Sequence, residues 1–131
     1  MFENPLESFA KERLWAVVGV SADRSKFGNK IYRDLKEAGY IVQAINPRLT
    51  EVEGDPCYPS LAALLQKPTV VNLVIPPSAT LAVIQDCIDL GIRYVWFQPG
   101  SEDEAAIALA KDNGITVVSN ACIMIEKHAW A

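Results

Sequence analysis

The first residues able to do chemistry follow an apolar run at positions 15 to 20. A strand that ends in a turn of small residues and continues into a helix presents backbone N–H groups and the positive helix end, which together can hold a pyrophosphate. A tight turn followed by a solvated lysine is the alternative, and the turn alone does not decide between them. The candidate phosphate-binding residues are Gly19, Val20, Ser21, Ser25, Lys26, Phe27 and Gly28.

This turn departs from the dinucleotide-binding pattern Gly-x-Gly-x-x-Gly. Counted from Gly19, the second and third glycines would fall where Ser21 and Arg24 stand. The match to that motif is therefore loose, and the ligand class has to be inferred from residues further along the chain.

Asn46-Pro47-Arg48 follows the next apolar run and favours a ribose that carries a phosphate. Folds that bind NAD place an acidic residue near the end of the second strand, where it accepts hydrogen bonds from ribose hydroxyls. Here a cation stands instead, and a guanidinium pairs with phosphate oxygens that a carboxylate would repel. NADP and coenzyme A both meet this criterion, and an Asn-Pro turn with an exposed arginine is the structural alternative.

Two further strand ends supply stiff or apolar surfaces. Ile75-Pro76-Pro77 ends a third apolar run with two residues that lack N–H donors, so it could support an adenine or a pantetheine chain, or simply start the next helix. Pro99 and Gly100 follow Trp96-Phe97, whose side chains point to opposite faces of a strand. At least one of these two aromatic residues is therefore expected in the core.

Strand and helix signals alternate along the chain. Short runs rich in Val, Ile and aromatic residues predict parallel strands covered on both faces, and Gly39, Gly91 and Gly114 end three of the intervening helices. Ser78 is expected to cap its helix, and an apolar stripe made of Leu81, Val83, Ile84, Cys87 and Ile88 is expected to pack that helix on the sheet. The predicted strands span 15–20, 41–45, 70–75, 93–97 and 115–118, and the predicted helices span 28–38, 61–66, 78–90 and 102–113.

The alternation predicts a single Rossmann-like α/β domain over residues 1–131, with a doubly wound, mainly parallel five-stranded sheet and helices on both faces. The preferred strand order is 2-1-3-4-5, and residues 49–59 are expected to form a small edge strand or an irregular connection. Because ligands bind beyond the carboxyl ends of such strands, this order brings the candidate residues together at one edge of the sheet.

Composition narrows the possible functions. The net charge of −4 argues against nonspecific nucleic-acid binding, which needs a clustered basic surface. Neither a secretory signal nor an apolar stretch of about 20 residues is seen, so a cytoplasmic protein without a membrane span is expected. Cys57, Cys87 and Cys122 lack a Cys-x-x-Cys spacing and His128 is the single histidine, so neither a metal site nor a catalytic residue is predicted.

Taken together and in this order, these elements resemble the small CoA-binding protein family, whose domain is similar to the CoA-binding N-terminal domain of the succinyl-CoA synthetase alpha subunit. The resemblance spans nearly the whole chain. The elements that carry it are Val17-Val18-Gly19-Val20-Ser21, Lys26-Phe27-Gly28, Ile45-Asn46-Pro47, Cys57-Tyr58-Pro59-Ser60-Leu61, Ile75-Pro76-Pro77, Trp96-Phe97-Gln98-Pro99-Gly100 and Cys122-Ile123-Met124-Ile125-Glu126.

The resemblance implies a role for each group of residues. The pyrophosphate region would be held by the turn after the first strand, the phosphorylated ribose by residues 46–48 and the adenine side by residues 75–77. Cys122 would either approach the CoA thiol and form a mixed disulfide on oxidation, or be a buried and inert cysteine, which is the favoured reading.

The expected function is non-catalytic binding of coenzyme A or an acyl-CoA, as a carrier, sensor or regulatory module, with a protein partner or homo-oligomer left open. Ligase activity is not carried over, because the phosphorylated histidine of the synthetase belongs to regions that this chain does not match, and His128 is not equated with it. Two alternatives remain: an NADP-dependent oxidoreductase-like protein, and an interaction subunit with a vestigial ligand cleft.

Overall fold

The computed structural model describes residues 9, 11–119 and 121–123. Strands and helices alternate through this part of the chain, and a short 3-10 helix, Leu61–Ala63, lies in the connection that leads to the strand Val70–Leu73. The strands are β1 Leu14–Val18, β2 Ile41–Ile45, β3 Glu51–Val52, β4 Asp55–Tyr58, β5 Val70–Leu73, β6 Tyr94–Phe97 and β7 Thr116–Val118, and the helices are α1 Phe27–Glu37, α2 Pro77–Leu90 and α3 Glu104–Asp112.

The sheet has seven strands in the order β3-β4-β2-β1-β5-β6-β7. The five predicted strands form its parallel part in the predicted order, with β1 between β2 and β5. The two extra strands come from residues 49–59, which form an antiparallel hairpin, and β4 of that hairpin pairs in parallel with β2. The fold class is therefore confirmed, and the strand count rises from five to seven.

The core lies on both faces of this sheet. On one face α1 buries Ile31, Tyr32 and Leu35 against Trp15 and Trp96. The opposite face carries α2 and α3, and its buried residues include Ile84, Ala106 and Phe97. Trp96 and Phe97 are both fully buried, on opposite faces, so this adjacent pair joins the two halves of the core.

The predicted helix 61–66 is wrong in length and type. The segment makes a single 3-10 turn, and the backbone is extended again at Leu64, with ψ 139°. Leu61 is buried, whereas Leu65 is 93% exposed. A short helix depends on an apolar face that tertiary packing can bury, and this segment buries little beyond its first residue.

Two predictions about α2 are also corrected. Its N-cap is Pro76 and its first residue is Pro77, so Ser78 lies inside the helix and makes no capping hydrogen bond. Proline suits the first helical position because the N–H that it lacks would have no intrahelical partner there. Leu81 is 44% exposed rather than part of the buried stripe, which instead runs through Thr80, Ile84 and Cys87.

Among the described residues, the helices are too short or too polar to cross a bilayer.

Candidate functional site

The candidate site lies beyond the carboxyl ends of β1, β5 and β6. From β1 the chain passes through α1 to β2 on one side, while β5 pairs with β1 on the other side. The connections therefore diverge at β1, and in open α/β sheets a ligand crevice forms at such a point. The sequence places its candidate residues in the loops around this point.

Two glycines let backbone segments meet closely at the base of the site. Gly19 has φ +101°, and a Cβ there would lie 2.1 Å from the carbonyl oxygen of Val74. A Cβ on Gly28 would lie 2.1 Å from the carbonyl oxygen of Gly19. Both glycines are therefore needed for packing, since β5 and α1 could not otherwise approach the end of β1. A larger residue at position 28 would disturb the fold before it reached any ligand.

The N–H groups of Gly19 and Val20 are already engaged. Both donate to the carbonyl oxygen of Ile45, at 3.0 Å and 3.3 Å. These two residues therefore shape the site without offering it free donors, and any N–H groups for a phosphate come from later in the loop or from α1.

The first βα loop, residues 19–26, is held by its own polar groups. The Asp23 N–H donates to Ser21 Oγ at 3.0 Å, and Asp23 accepts from the Ser25 N–H at 2.9 Å and from Ser25 Oγ at 2.6 Å. These hydrogen bonds from Ser25 lower the pKa of the Asp23 carboxyl. The Lys26 N–H donates to the Asp23 carbonyl at 3.1 Å. The loop is thus a compact turn ordered around Asp23.

The start of α1 offers donors to an anion. Its N-cap, Lys26, makes no side-chain capping bond, and the first hydrogen bond of the helix runs from the Lys30 N–H to the Lys26 carbonyl. The N–H groups of Phe27 and Gly28 precede that bond and so have no intrahelical acceptor. Such N–H groups at the positive end of a helix dipole favour an anionic ligand.

Positive charge is concentrated around this helix start. Arg24, Lys26, Lys30 and Arg33 lie within ten residues of one another, in a chain whose net charge is −4. Residues 24–33 contain no acidic residue, and Asp23 and Asp34 flank the stretch. The local field therefore favours an anion although the protein as a whole is acidic.

The loop after β2 is tied to the first βα loop. Asn46 Nδ2 donates to the Val20 carbonyl at 2.7 Å, and Asn46 Oδ1 accepts from the Arg48 N–H at 2.8 Å. Asn46 thus joins the two loops, while Pro47 and Arg48 are exposed. The guanidinium of Arg48 is the cation that the sequence assigned to a ribose phosphate.

The ends of β5 and β6 form the other side of the site. The Ile75 N–H donates to Ser101 Oγ at 3.0 Å, which links the two strand ends, and Pro76 and Pro77 are exposed as they enter α2. The segment Pro99-Gly100 is exposed, and the Gly100 N–H donates to Glu102 Oε1 at 2.7 Å.

An apolar cavity of about 340 Å³ opens beside the start of α1. Phe27, which is 65% exposed, forms one side of it. The cavity brings together α1, the segments after β5 and β6, and the C-terminal part of the described chain. Its lining residues are Phe27, Ile31, Val74, Gln98, Pro99 and Cys122.

Gln98 fixes the segment that carries Cys122. Its side chain is buried, its Oε1 accepts from the Ile123 N–H at 2.9 Å, and its Nε2 lies 3.5 Å from Cys122 Sγ. Trp96 Nε1 donates to the Ala121 carbonyl at 2.8 Å. Residues 121–123 are therefore held over the end of β6, with Cys122 at the cavity wall.

The three cysteines differ in their surroundings. Burial raises the pKa of the Cys87 thiol to about 12, and burial also raises the pKa of Cys57. Neither of these two lines the cavity, whereas Cys122 is half-buried and does. The reactive thiolate form is therefore suppressed at the two cysteines away from the site.

Sequence reasoning missed two residues that shape the first βα loop. Asn29 is fully buried, donates to the Ser21 carbonyl at 2.8 Å and accepts from Arg33 Nε at 2.7 Å. Arg33 Nη2 in turn donates to the Arg24 carbonyl at 3.1 Å. Both side chains take up carbonyl groups of the loop. The available signal was a polar residue on the otherwise apolar buried face of α1.

No group of three metal-binding side chains occurs in residues 9, 11–119 and 121–123. His128, for which no metal or catalytic role was predicted, lies outside the described residues, as does Glu126.

Comparison with known proteins identifies two kinds of relative: long enzymes that contain a similar domain, and small proteins of about the same length as this chain. A family model described as a CoA binding domain matches residues 13–128. The acetate–CoA ligase (ADP-forming) I of Archaeoglobus fulgidus is 23% identical over 128 residues, which cover 90% of this chain and 19% of the ligase. The uncharacterized protein YneT of Bacillus subtilis is 26% identical over 128 residues, covering 94% of this chain and 95% of YneT. The chain thus spans about a fifth of the ligase and nearly all of the small relative.

A solved structure shares the same fold over its whole length. A hypothetical protein from Pyrococcus horikoshii OT3 superposes with a TM-score of 0.92 at 29% identity, covering 99% of both chains. The arrangement of strands and loops around the candidate site is therefore that of a known small domain.

Proposed function

Because this chain belongs to the CoA binding domain family, we propose that it binds coenzyme A or an acyl-CoA at the carboxyl end of its sheet, without catalysing a reaction. The observation that carries the proposal is the junction of two unlike surfaces at one point. The uncapped, cation-rich start of α1 adjoins an apolar cavity, and Phe27 belongs to both.

Coenzyme A has the chemistry that this junction requires. Its diphosphate is anionic, and its pantetheine arm is a long, largely uncharged chain that ends in a thiol. The first-turn N–H groups of α1, with Lys26 beside them, suit the diphosphate. The apolar cavity suits the thiol end of the arm, and Cys122 stands in its wall. These side chains and backbone groups therefore fit the ligand that the family implies.

The exposed guanidinium of Arg48 suits the third phosphate of the ligand. Arg48 follows Asn46, whose side chain bonds the first βα loop, so the two loops hold a fixed spacing. A guanidinium pairs well with a phosphate on a ribose. In this proposal Arg48 accounts for a preference for coenzyme A over a form that lacks the 3′-phosphate.

The biological role proposed is that of a carrier, a sensor or a regulatory module in the cytoplasm. The described residues contain no metal-ligand cluster and supply no acid–base pair in the cavity. A relative of this domain is part of a much longer acetate–CoA ligase, which supports a protein partner for the present chain as well.

Titration calorimetry with four ligands tests this function. We expect heat with CoA, weaker binding of dephospho-CoA, and little or none with NADPH or NADH. Tight NADPH binding without CoA binding would instead support the oxidoreductase-like alternative, and no binding of any of the four would support a vestigial cleft. Native mass spectrometry of freshly purified protein is the complementary measurement, because a co-purified acyl-CoA would reveal its acyl group by mass.

A further inference from the structure

An acidic side chain lies beside the proposed phosphate site, although its carboxylate would repel an anionic ligand. Glu53 lies in the tight turn between β3 and β4, and its Oε1 is 3.4 Å from Arg24 Nε in the first βα loop. The two residues are 29 positions apart in the chain, so this ion pair exists only because the hairpin packs beside the loop.

The backbone holds Glu53 in an unusual conformation. Its φ is +49°, and among the described residues it is the one residue other than glycine with a positive φ. Gly54 beside it also has a positive φ, of +80°, so the turn is of the type that asparagine and glycine normally occupy. A glutamate at this position is strained, and its side chain makes specific contacts in return.

The second carboxylate oxygen of Glu53 contacts Asn29 in the first turn of α1. Asn29 Nδ2 lies 3.3 Å from Glu53 Oε2 and 2.8 Å from the Ser21 carbonyl oxygen. Asn29 is fully buried, and the Glu53 side chain is 25% exposed. The Glu53 carboxylate is therefore held against the loop, in contact with both Arg24 and Asn29.

Arg24 is free to turn, unlike its partner. Its side chain is 66% exposed, and its Nε lies 3.4 Å from Glu53 Oε1, farther than the roughly 2.7–2.9 Å of a charge-assisted hydrogen bond. A diphosphate accepts two parallel hydrogen bonds from a guanidinium and carries two negative charges, one on each phosphoryl group, where a carboxylate carries one, so it is the stronger partner. A diphosphate that binds at the loop can therefore replace Glu53 as the ion-pair partner of Arg24.

We propose that Glu53 is an internal competitor of the ligand: it neutralises Arg24 in the free protein, and a ligand diphosphate displaces it. This inference rests on the proposed function, because it needs the diphosphate to bind at the first βα loop. Binding then exchanges one ion pair for another while the Glu53 carboxylate remains nearby and repels the incoming anion. Glu53 thereby lowers the affinity and restricts the site to ligands with strongly anionic phosphates.

The test compares CoA affinity in Glu53→Gln with that in Glu51→Gln. Both substitutions remove one negative charge from the same hairpin, but Glu51 is exposed on β3 and lies outside the contacts to Arg24 and Asn29. Glutamine at position 53 keeps an oxygen that can accept from Asn29. We expect Glu53→Gln to tighten CoA binding about two- to tenfold in 50 mM NaCl, and Glu51→Gln to change it less than about 1.5-fold.

Three further measurements separate this mechanism from others. The gain from Glu53→Gln should be the same for dephospho-CoA as for CoA, because the diphosphate is common to both. In an Arg24→Ala background the gain should shrink, since only the repulsion by Glu53 is then relieved. Melting temperatures of all variants show whether any loss of affinity follows from a loosened loop.

The outcomes distinguish this inference from the proposed function. If the wild-type protein binds CoA and Glu53→Gln binds it equally or more weakly at an unchanged melting temperature, Glu53 is no competitor. If Glu51→Gln tightened CoA binding as much as Glu53→Gln does, the inference would also be overturned, because the change in net charge alone would then explain the effect. If neither the wild-type protein nor Glu53→Gln binds CoA, both the inference and the proposed function are wrong.

Discussion

At the scale of single residues, Cys122 is the cysteine that lines the cavity of the proposed site. It lines the apolar cavity, whereas Cys57 and Cys87 are buried away from it and have raised pKa values. We therefore expect iodoacetamide to label Cys122 first in the folded protein, and saturating CoA to slow that labelling by at least about fivefold. Peptide mass spectrometry over time measures the rate at each cysteine.

The control for this experiment is Cys122→Ser. It should remove the fast, CoA-protected label and leave slow labelling at the other two cysteines. A mixed disulfide with CoA after oxidation with CoA disulfide would have to vanish in the same variant. Rapid labelling of Cys122 that CoA does not slow would contradict the location of the thiol end in the cavity.

Arg48 tests the assignment of the third phosphate. Arg48→Ala should weaken CoA binding by about 1–3 kcal/mol, as expected for the loss of a charge-assisted hydrogen bond. Dephospho-CoA, which lacks the 3′-phosphate, should lose much less. Calorimetry with both ligands makes the comparison, and equal losses for the two would show that Arg48 acts on another part of the ligand.

At the scale of the elements, strand β5 carries a buried polar residue within the sheet. Asn72 is fully buried, lies between Val17 and Trp96 on the neighbouring strands, and neither side-chain polar atom has a hydrogen-bond partner within the described part of the protein. A buried amide without a partner costs free energy that an apolar side chain of similar size does not.

The substitution Asn72→Leu should therefore raise the free energy of unfolding by about 1–2 kcal/mol. Urea denaturation monitored by tryptophan fluorescence measures the change, with an unchanged m-value as the check on two-state unfolding. A loss of stability would mean that the amide has a partner that outweighs its burial cost.

The contact between α1 and β4 makes stability depend on pH. Tyr32 donates to Asp55 Oδ2 at 2.7 Å, and Lys36 forms an ion pair with the same oxygen. The hydrogen bonds from Lys36 and Tyr32 hold the pKa of the Asp55 carboxyl below its ordinary value. Because the folded state favours the charged form, this contribution is present at neutral pH and is lost as the pH falls below about 4.

We expect Asp55→Asn to lower the free energy of unfolding at pH 7 by up to about 1 kcal/mol, since the side chains of Asp55 and Lys36 are both partly exposed. The difference from the wild type should shrink as the pH falls below about 4, where the carboxyl becomes protonated. Chemical denaturation across this pH range measures it, and Glu51→Gln on the same hairpin serves as the control. A difference that persists at low pH would mean that the substitution disturbs packing rather than charge.

For the whole molecule, we expect ligand binding to be coupled to folding, because the candidate site is assembled from distant segments. The cavity needs α1, the ends of β5 and β6, and residues 121–123 in place at once. CoA should therefore bind the folded state and not the unfolded state. At a CoA concentration of 100 times the Kd, binding should add about 2.7 kcal/mol to the free energy of unfolding. Differential scanning fluorimetry should show a rise in melting temperature of several degrees, whereas NADH at the same concentration should give none.

Much of the architecture is encoded locally. Apolar runs bounded by glycines predicted the five parallel strands and their order, because such patterns recur whenever a strand is buried on both faces. Gly39, Gly91 and Gly114 follow their helices with positive φ, as expected at helix ends. The family was also recognisable from these ordered motifs. The roles of the individual site residues stay predictions.

The sequence alone predicted the five parallel strands, their order, three of the helices and the family, since each follows from local pattern or from a conjunction of short motifs. Which groups meet became visible only in the folded chain: the Ile45 carbonyl accepts from the N–H groups of Gly19 and Val20, Glu53 pairs with Arg24, and Cys122 and Phe27 line the same cavity. These contacts join residues far apart in the chain, so they depend on how the elements dock, and no local pattern carries that information.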